Sequence, residues 1–152
     1  MNNSHNHING GTLDYNYIDQ GIFIGNNQCC SLGLAEVLEK KKIVADISLE
    51  DERLDHPFGV ASYLWLPTKD LTPPSKDQFR LGIAHLKNLV SAKAPVYVHC
   101  KNGHGRSTTL VVAFFMSQGM TFDVAVNTVK DKRPGVHLDP SQEESLRKGE
   151  WA

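Results

Sequence analysis

The chain has 152 residues, 40% of them hydrophobic, and a formal net charge of -1 at pH 7. This length suits one globular domain with a core of its own. A nearly neutral chain has no global attraction for nucleic acid or an anionic membrane, so any affinity for anions must be local. The sequence has no apolar run long enough to span a bilayer, and its polar N-terminus lacks the features of a signal peptide. We therefore expect no membrane span.

The cysteines are Cys29, Cys30 and Cys100, an odd count that does not indicate a disulfide framework. Reduced thiols are typical of the cytoplasm, where we expect the protein to be located. Adjacent cysteines rarely bridge without strain, so Cys29 and Cys30 are expected to be packing residues, with a redox role towards an oxidised Cys100 as the alternative. His5 and His7 are potential metal ligands, but two histidines in a polar segment seldom form a site, and we expect no metal.

Alternating strands and helices are predicted along the chain. We interpret residues 1–17 as a flexible polar arm and residues 18–152 as one domain. In chain order the patterns predict a strand over Gly21–Gly25, a helix over Leu32–Lys40, strands over Ile43–Ile47 and Ser62–Leu66, a helix opened by Ser75 and Gln78, a strand over Pro95–His99, helices over Ser107–Gln118 and Phe122–Lys132, and a short helix capped by Asp139. This alternation indicates a single α/β domain with a central, mostly parallel sheet of four to five strands flanked by helices.

The segment "VHCKNGHGRST", Val98–Thr108, joins a buried strand to an apolar helix. The first N–H groups of a helix lack partners, and its dipole adds positive charge, so such a junction binds anions. Gly103 and Gly105 allow the backbone to curl into a nest of N–H groups, and Arg106 offers a fork of donors that matches a phosphate. The phosphate-binding residues predicted on this loop are Lys101, Asn102, Gly103, His104, Gly105 and Arg106. The sulfur of Cys100 would face the same hollow, where these donors stabilise a thiolate, so Cys100 is a candidate nucleophile.

The order cysteine, five residues, arginine, serine or threonine resembles the signature of cysteine-dependent protein tyrosine phosphatases. His99, Cys100, Arg106 and Ser107 match it, and the lead-in "PVYVHC" resembles the dual-specificity branch. The resemblance implies a phosphatase-like fold without a cofactor, in which Cys100 forms a phosphocysteine, Arg106 binds phosphate, Ser107 helps the sulfur to leave and His99 orients the loop. It also implies an aspartic acid about thirty residues before the cysteine as general acid, a position that Asp70 occupies.

Other charged residues have open roles. Asp51, Glu52 and Asp55 are rival acids on a preceding loop, where we expect solvated surface positions. Lys132 and Arg133 are expected to be a solvated helix end, with an extra anion contact as the alternative.

Two features of the sequence help to indicate which branch of the phosphatase family the chain resembles and which class of substrate it would take. The chain lacks the tryptophan-proline-aspartate loop of the larger tyrosine-specific members, and Gln142 is only a weak candidate for their water-placing glutamine. Some inositol-lipid and glycerophospholipid phosphatases share a lysine directly after the cysteine, the position of Lys101.

The function predicted is hydrolysis of a phosphomonoester on a phosphorylated protein. The alternatives are the same chemistry on a phosphoinositide, a nucleotide or an RNA 5′ end, and a catalytically dead phosphate-binding module. Sulfur transfer by a rhodanese-like domain is a further alternative, against which the Arg106–Ser107 closure and Asp70 argue. The expected partner is a phosphoprotein or a small phosphomonoester, with no nucleic acid expected, and the oligomeric state stays open.

Overall fold

A computed structural model of the chain describes residues 14–27, 31–55 and 59–152. Cys29, Cys30, His5, His7 and the predicted arm up to residue 13 lie outside the described residues, so their expected roles stay predictions.

Five strands form one sheet in the order β1-β2-β5-β3-β4. The strands are β1 (Tyr15–Asp19), β2 (Ile22–Gly25), β3 (Ala45–Glu50), β4 (Ser62–Thr68) and β5 (Val96–His99). Strands β2, β5, β3 and β4 run parallel to one another, and β1 pairs antiparallel with β2. The sequence prediction of a mostly parallel α/β sheet is therefore confirmed.

The helices pack on both faces of this sheet. They are α1 (Ser31–Lys40), α2 (Lys76–Ser91), α3 (Arg106–Ser117), α4 (Phe122–Lys132) and α5 (Pro140–Lys148). Leu38 of α1 packs with Phe23 and Tyr97 on one face. Helices α2 to α5 contribute to the larger core on the other face, which Val96 and Val98 of the central strand β5 reach. This alternation along β5 follows from the period of two in a strand.

Helix α3 is the centre of the larger core. All its residues from Arg106 to Phe115 are buried, as its all-round apolar sequence predicts. The capping boxes predicted at Ser75 and Asp139 are both present, with Pro140 in the first turn of α5. Among the described residues, no helix combines the length and apolar character needed to cross a membrane.

The structure corrects several predicted boundaries, among them those of the arm and of β3. Residues 15–17, which we interpreted as part of the arm, belong to β1, whose Tyr17 packs its ring 5.1 Å from that of Phe23. Strand β3 begins at Ala45 rather than Ile43 and continues through Glu50 into the segment predicted as loop. Leu49 is completely buried, so one more apolar position on the core face extends this strand.

Candidate active site

The loop between β5 and α3 wraps around the sulfur of Cys100. The backbone N–H of Gly103 donates to Sγ at 3.2 Å, and the Ser107 hydroxyl lies 3.4 Å from the same atom. Cys100 is 2% exposed. The sulfur thus lies inside the loop at the N-terminus of α3, where N–H groups and the helix dipole favour a negative charge.

Gly103 is the residue that makes this loop possible. Its φ is +72°, and a Cβ there would collide with the carbonyl group of Gly25 at the end of β2. Only a glycine accepts both the left-handed backbone and the close approach. The loop is therefore seated directly against the neighbouring strand.

Arg106 enters the loop from the first position of α3 and is 2% exposed. Its Nη1 and Nη2 donate to the carboxylate of Glu52 at 2.9 and 3.2 Å, and Nη1 also donates to the carbonyl oxygen of Thr68 at 2.8 Å. Burial alone would lower the pKa of Arg106, but the hydrogen bond to Glu52 and the nearby charges raise it overall. The Nε–H is buried without a hydrogen-bond partner among the described residues, and is therefore available to a phosphoryl oxygen.

Glu52 has the exposed position that the sequence suggests, with a side chain that is 38% exposed, but it is also the carboxylate partner of Arg106. Burial raises the pKa of its carboxyl, but the hydrogen bond and the charge of Arg106 outweigh this effect and lower the pKa overall. Its two hydrogen bonds to the guanidinium make this carboxylate a support for Arg106. Asp55 is also engaged, since both its oxygens accept from Asn27 Nδ2 at 3.2 Å.

Asp70 lies at the mouth of the site, on the segment between β4 and α2. Its Oδ1 is 3.5 Å from Nε of Arg106 and accepts the N–H of Leu71 at 3.0 Å. The side chain is largely exposed. Asp51 and Glu52 also lie within 4 Å of this guanidinium, but at 40% and 38% their side chains are less exposed than that of Asp70, at 61%.

His99 is completely buried beneath the loop. Its Nε2 lies 2.7 Å from Oδ1 of Asp46, which is also completely buried. Burial would lower the pKa of His99, but the charge of Asp46 and the hydrogen bond between them raise it overall. This contact holds the residue before Cys100 to strand β3, and the loop-orienting role of His99 stays a prediction.

Arg133 supports the loop from behind, and the expectation of a solvated helix end is wrong for this residue. The side chain is 3% exposed, Nε donates to the carbonyl oxygen of Gly103 at 2.8 Å, and Nη2 donates to that of Asn102 at 3.2 Å. Asp14, which precedes β1, and Asn16 of β1 accept from the same guanidinium. Arg133 therefore ties the loop's carbonyl groups to the first strand.

A cavity of about 90 Å³ opens beside the sulfur. Its lining residues are Asp70, Leu71, Cys100, Asn102, His104, Gly105, Arg106, His137, Asp139 and Gln142. Of the predicted phosphate-binding residues, Lys101 and Gly103 are absent from this lining. Lys101 is exposed, and Gly103 lies between the sulfur and β2. Gln142 is engaged by its neighbours, since Nε2 donates to the carbonyl oxygen of Thr72 at 3.2 Å and Oε1 accepts from Asp139 N at 2.9 Å.

Glu50, Asp55 and His99 form the one group of potential metal ligands identified among the described residues. Their ligand atoms lie within 4.8 Å of one another. Asn27 Nδ2 donates to both carboxylates, and the guanidinium of Arg53 lies 3.3 Å from Asp55. The amide donor and the positive charge of the guanidinium beside these carboxylates disfavour a second cation, so the group does not fit a metal site.

The supporting roles of several residues have no signal in the sequence. Glu52, Asp46 and Arg133 are separated by 54, 53 and 30 residues from the atoms they contact. His137 enters the cavity beside His104, with ring centroids 5.6 Å apart. Only the tertiary fold brings these residues to the loop.

Taken together, the fold and the loop define a cysteine-dependent phosphatase domain. Residues 22–150 match the family described as "Dual specificity phosphatase, catalytic domain". The chain therefore belongs to the dual-specificity phosphatase family.

Individual relatives are consistent with this assignment. The chain is 41% identical over 83 residues to "Phosphatidylglycerophosphate phosphatase PTPMT2" of Arabidopsis thaliana, a match covering 53% of the chain and 36% of that protein. The chain thus spans only about a third of that relative's length. It is 26% identical over 144 residues to the human "Phosphatidylglycerophosphatase and protein-tyrosine phosphatase 1", covering 88% of the chain and 71% of that protein. The crystal structure of PTPMT1 has the same fold, with a TM-score of 0.79 at 23% identity over 90% of this chain and 93% of that one.

Proposed function

We propose that the chain hydrolyses phosphomonoesters of aliphatic alcohols through a phosphocysteine on Cys100. The observation that supports this most is the position of its sulfur, which receives the N–H of Gly103 at 3.2 Å within the anion-binding loop. Donors that stabilise a thiolate at that point also bind the three peripheral oxygens of a phosphoryl group.

The reaction has two steps. In the first, the Cys100 thiolate attacks phosphorus, the bond to the ester oxygen breaks, and protonated Asp70 gives its proton to the leaving alcohol. In the second, ionised Asp70 takes a proton from a water that attacks the phosphocysteine, and the sulfur leaves as thiolate. Arg106 holds the phosphoryl oxygens through Nε–H in both steps, and the Ser107 hydroxyl stabilises the departing sulfur.

The substrate class follows from the lining of the site. A cavity of about 90 Å³ is small compared with pockets that enclose drug-sized ligands, about 300–1,000 Å³. Among the described residues that line it there is no phenylalanine, tyrosine or tryptophan. A site of this kind suits a phosphoryl group on a flexible aliphatic carbon better than one on a phenol ring.

The glycerophosphate headgroup of a phospholipid is the first such substrate. The names of the Arabidopsis and human relatives support it, since both contain phosphatidylglycerophosphate phosphatase activity. Phosphoprotein, which the sequence alone favoured, is the second candidate, and the human relative's name also includes protein-tyrosine phosphatase. The cytoplasmic location expected from the cysteines stays a prediction, which fractionation of cells expressing the tagged chain would check.

Two substitutions test the chemistry. Cys100→Ser should abolish hydrolysis of p-nitrophenyl phosphate while inorganic phosphate still binds. Asp70→Asn should lower kcat for an alkyl phosphate by about 100-fold or more, because the alkoxide needs a proton to leave, and should reduce p-nitrophenyl phosphate turnover much less. Asp77→Asn, an exposed carboxylate in the first turn of α2, is the matched control and should leave both rates unchanged. Turnover by the Cys100→Ser variant would end the nucleophile assignment.

The substrate is tested by comparing kcat/KM on soluble short-chain phosphatidylglycerophosphate, phosphoserine and phosphotyrosine peptides, and a phosphoinositide. We expect the glycerophospholipid to be hydrolysed fastest. A preference for the phosphotyrosine peptide would contradict the proposed aliphatic class while leaving the phosphocysteine chemistry intact.

A further inference from the structure

Leu71, the residue after Asp70, has a backbone conformation that leucine rarely adopts. Its φ is +67°, at the third position of the turn Lys69–Thr72, which the N–H of Thr72 closes onto the carbonyl oxygen of Lys69 at 3.1 Å. Glycine or asparagine normally occupies this position of such a turn. The side chain is 59% exposed, so burial of the isobutyl group does not offset the backbone strain.

Contacts from the neighbouring backbone and α5 fix this turn. The Ser141 hydroxyl donates to the carbonyl oxygen of Leu71 at 2.9 Å, and Gln142 donates to that of Thr72. The N–H of Leu71 donates to the Asp70 carboxylate. None of these bonds involves the leucine side chain, and glycine would form all of them without strain. The reason for a leucine therefore lies in its side chain.

Leu71 is one of the residues that line the cavity of the site. Among the described residues that line the cavity, Leu71 alone has a hydrocarbon side chain, since the others are polar, charged, a thiol or glycine. A phosphoryl group bound by Arg106 and the loop would leave its ester carbon beside Asp70, which protonates the bridging oxygen. The next residue is then adjacent to the organic part of the substrate.

We propose that Leu71 contacts the hydrocarbon next to the scissile oxygen and so determines specificity for aliphatic esters that extend beyond the first carbon. This inference rests on the proposed function and assigns Leu71 a binding contact rather than a part in the proton transfer.

The test compares methyl phosphate with n-butyl phosphate, whose leaving alcohols have similar acidity and differ in hydrocarbon. Leu71→Ala removes the contact and keeps the strain, Leu71→Gly removes both, and Leu71→Met keeps a hydrocarbon. We expect kcat/KM for butyl phosphate to fall about tenfold in the alanine and glycine variants, as expected for the loss of roughly half a buried leucine. On the same reasoning, kcat/KM for methyl phosphate should change by less than about twofold in these variants. The methionine variant should keep the preference for butyl phosphate. Inhibition by inorganic phosphate should not change in any of the variants.

Leu81 of α2 is the matched control because it is also 59% exposed and does not line the cavity. Leu81→Ala should leave both rates unchanged. Equal losses on both esters in Leu71→Ala, or full butyl phosphate activity in Leu71→Gly, would overturn the inference and leave the proposed function standing. If the wild-type protein hydrolysed none of the three substrates, methyl phosphate, butyl phosphate and p-nitrophenyl phosphate, the proposed function and the inference would both be overturned.

Discussion

Replacing Gly103 with alanine should destabilise the fold and the site together. The φ of +72° is unfavourable for alanine, and the added Cβ would lie 2.5 Å from the carbonyl carbon of Gly25 and 2.9 Å from Nη2 of Arg133. The first of these neighbours is backbone in the parallel pair β2 and β5, so it cannot rotate away. The loop or the strand end must move.

The cost of the left-handed backbone and the cost of the steric clash can be measured separately within this chain. Gly149, which ends α5, has a closely similar φ of +66°, and a Cβ there would meet nothing within 4 Å. Gly149→Ala therefore measures the left-handed backbone cost alone, about 1 kcal/mol. Gly103→Ala adds overpacking against rigid backbone, about 2 kcal/mol. We expect the free energy of unfolding to fall by about 3 kcal/mol in Gly103→Ala and by about 1 kcal/mol in Gly149→Ala.

Urea unfolding measures this difference. With an m-value of about 2 kcal/mol/M, the midpoint should fall by about 1.5 M in Gly103→Ala and about 0.5 M in Gly149→Ala. Turnover should also fall in Gly103→Ala, because displacement of the loop takes the N–H of residue 103 away from the sulfur of Cys100. Gly149→Ala should keep full turnover. Equal midpoints for the two variants would refute the close packing of the loop against β2.

Two ion pairs give pH-dependent predictions: the completely buried pair of His99 and Asp46, and the pair of Arg106 with the exposed Glu52. The raised pKa of His99 contributes stability that is fully present below the unfolded pKa of about 6.5 and is lost as the pH rises through the higher folded value. Asp46→Asn should therefore lower the stability measured at pH 6 and flatten its decline from pH 6 to 9; an unchanged slope would exclude the charged pair. The lowered pKa of Glu52 has the opposite sign, so its stabilisation is present above its ordinary pKa and is lost as the pH falls through the lower folded value. Glu52→Gln should remove that acid-limb loss and reduce kcat/KM at pH 7 by about tenfold, because an amide holds the Arg106 fork less firmly; a wild-type rate at pH 7 would contradict this positioning role.

The sequence predicts those features that depend on neighbours along the chain. The junction at Cys100, the caps at Ser75 and Asp139, and the buried helix that begins at Arg106 all follow from local spacing and periodicity. Asp70 could be singled out only through the family resemblance, and its place 3.5 Å from Nε of Arg106 fits that choice.

The supporting contacts could not be predicted in this way. Glu52 is among charged neighbours that are typical of a solvated loop, and nothing local distinguishes it from Asp51. Its role depends on the parallel pairing of β3 beside β5, which brings the segment after β3 over the guanidinium of Arg106. The burial of Arg133 likewise depends on α4 ending behind the loop. The sequence gives the sign and the number of the charges in a segment, but it does not show which of these charges the fold will remove from water.

Strand β1 links the first described residues to the catalytic loop. In its sequence, "YNYID", Ile18 is completely buried, and Gln20 and Gly21, both with positive φ, form the turn that pairs the strand with β2. That pairing places Asp14 against the guanidinium of Arg133, which otherwise would be a buried charge facing only carbonyl groups. Because an unpaired buried charge is costly, the edge strand and the loop stabilise each other. The dual-specificity fold here therefore includes its first strand as part of the support for the phosphate-binding loop, and a domain boundary drawn at residue 18 would remove the carboxylate that neutralises Arg133.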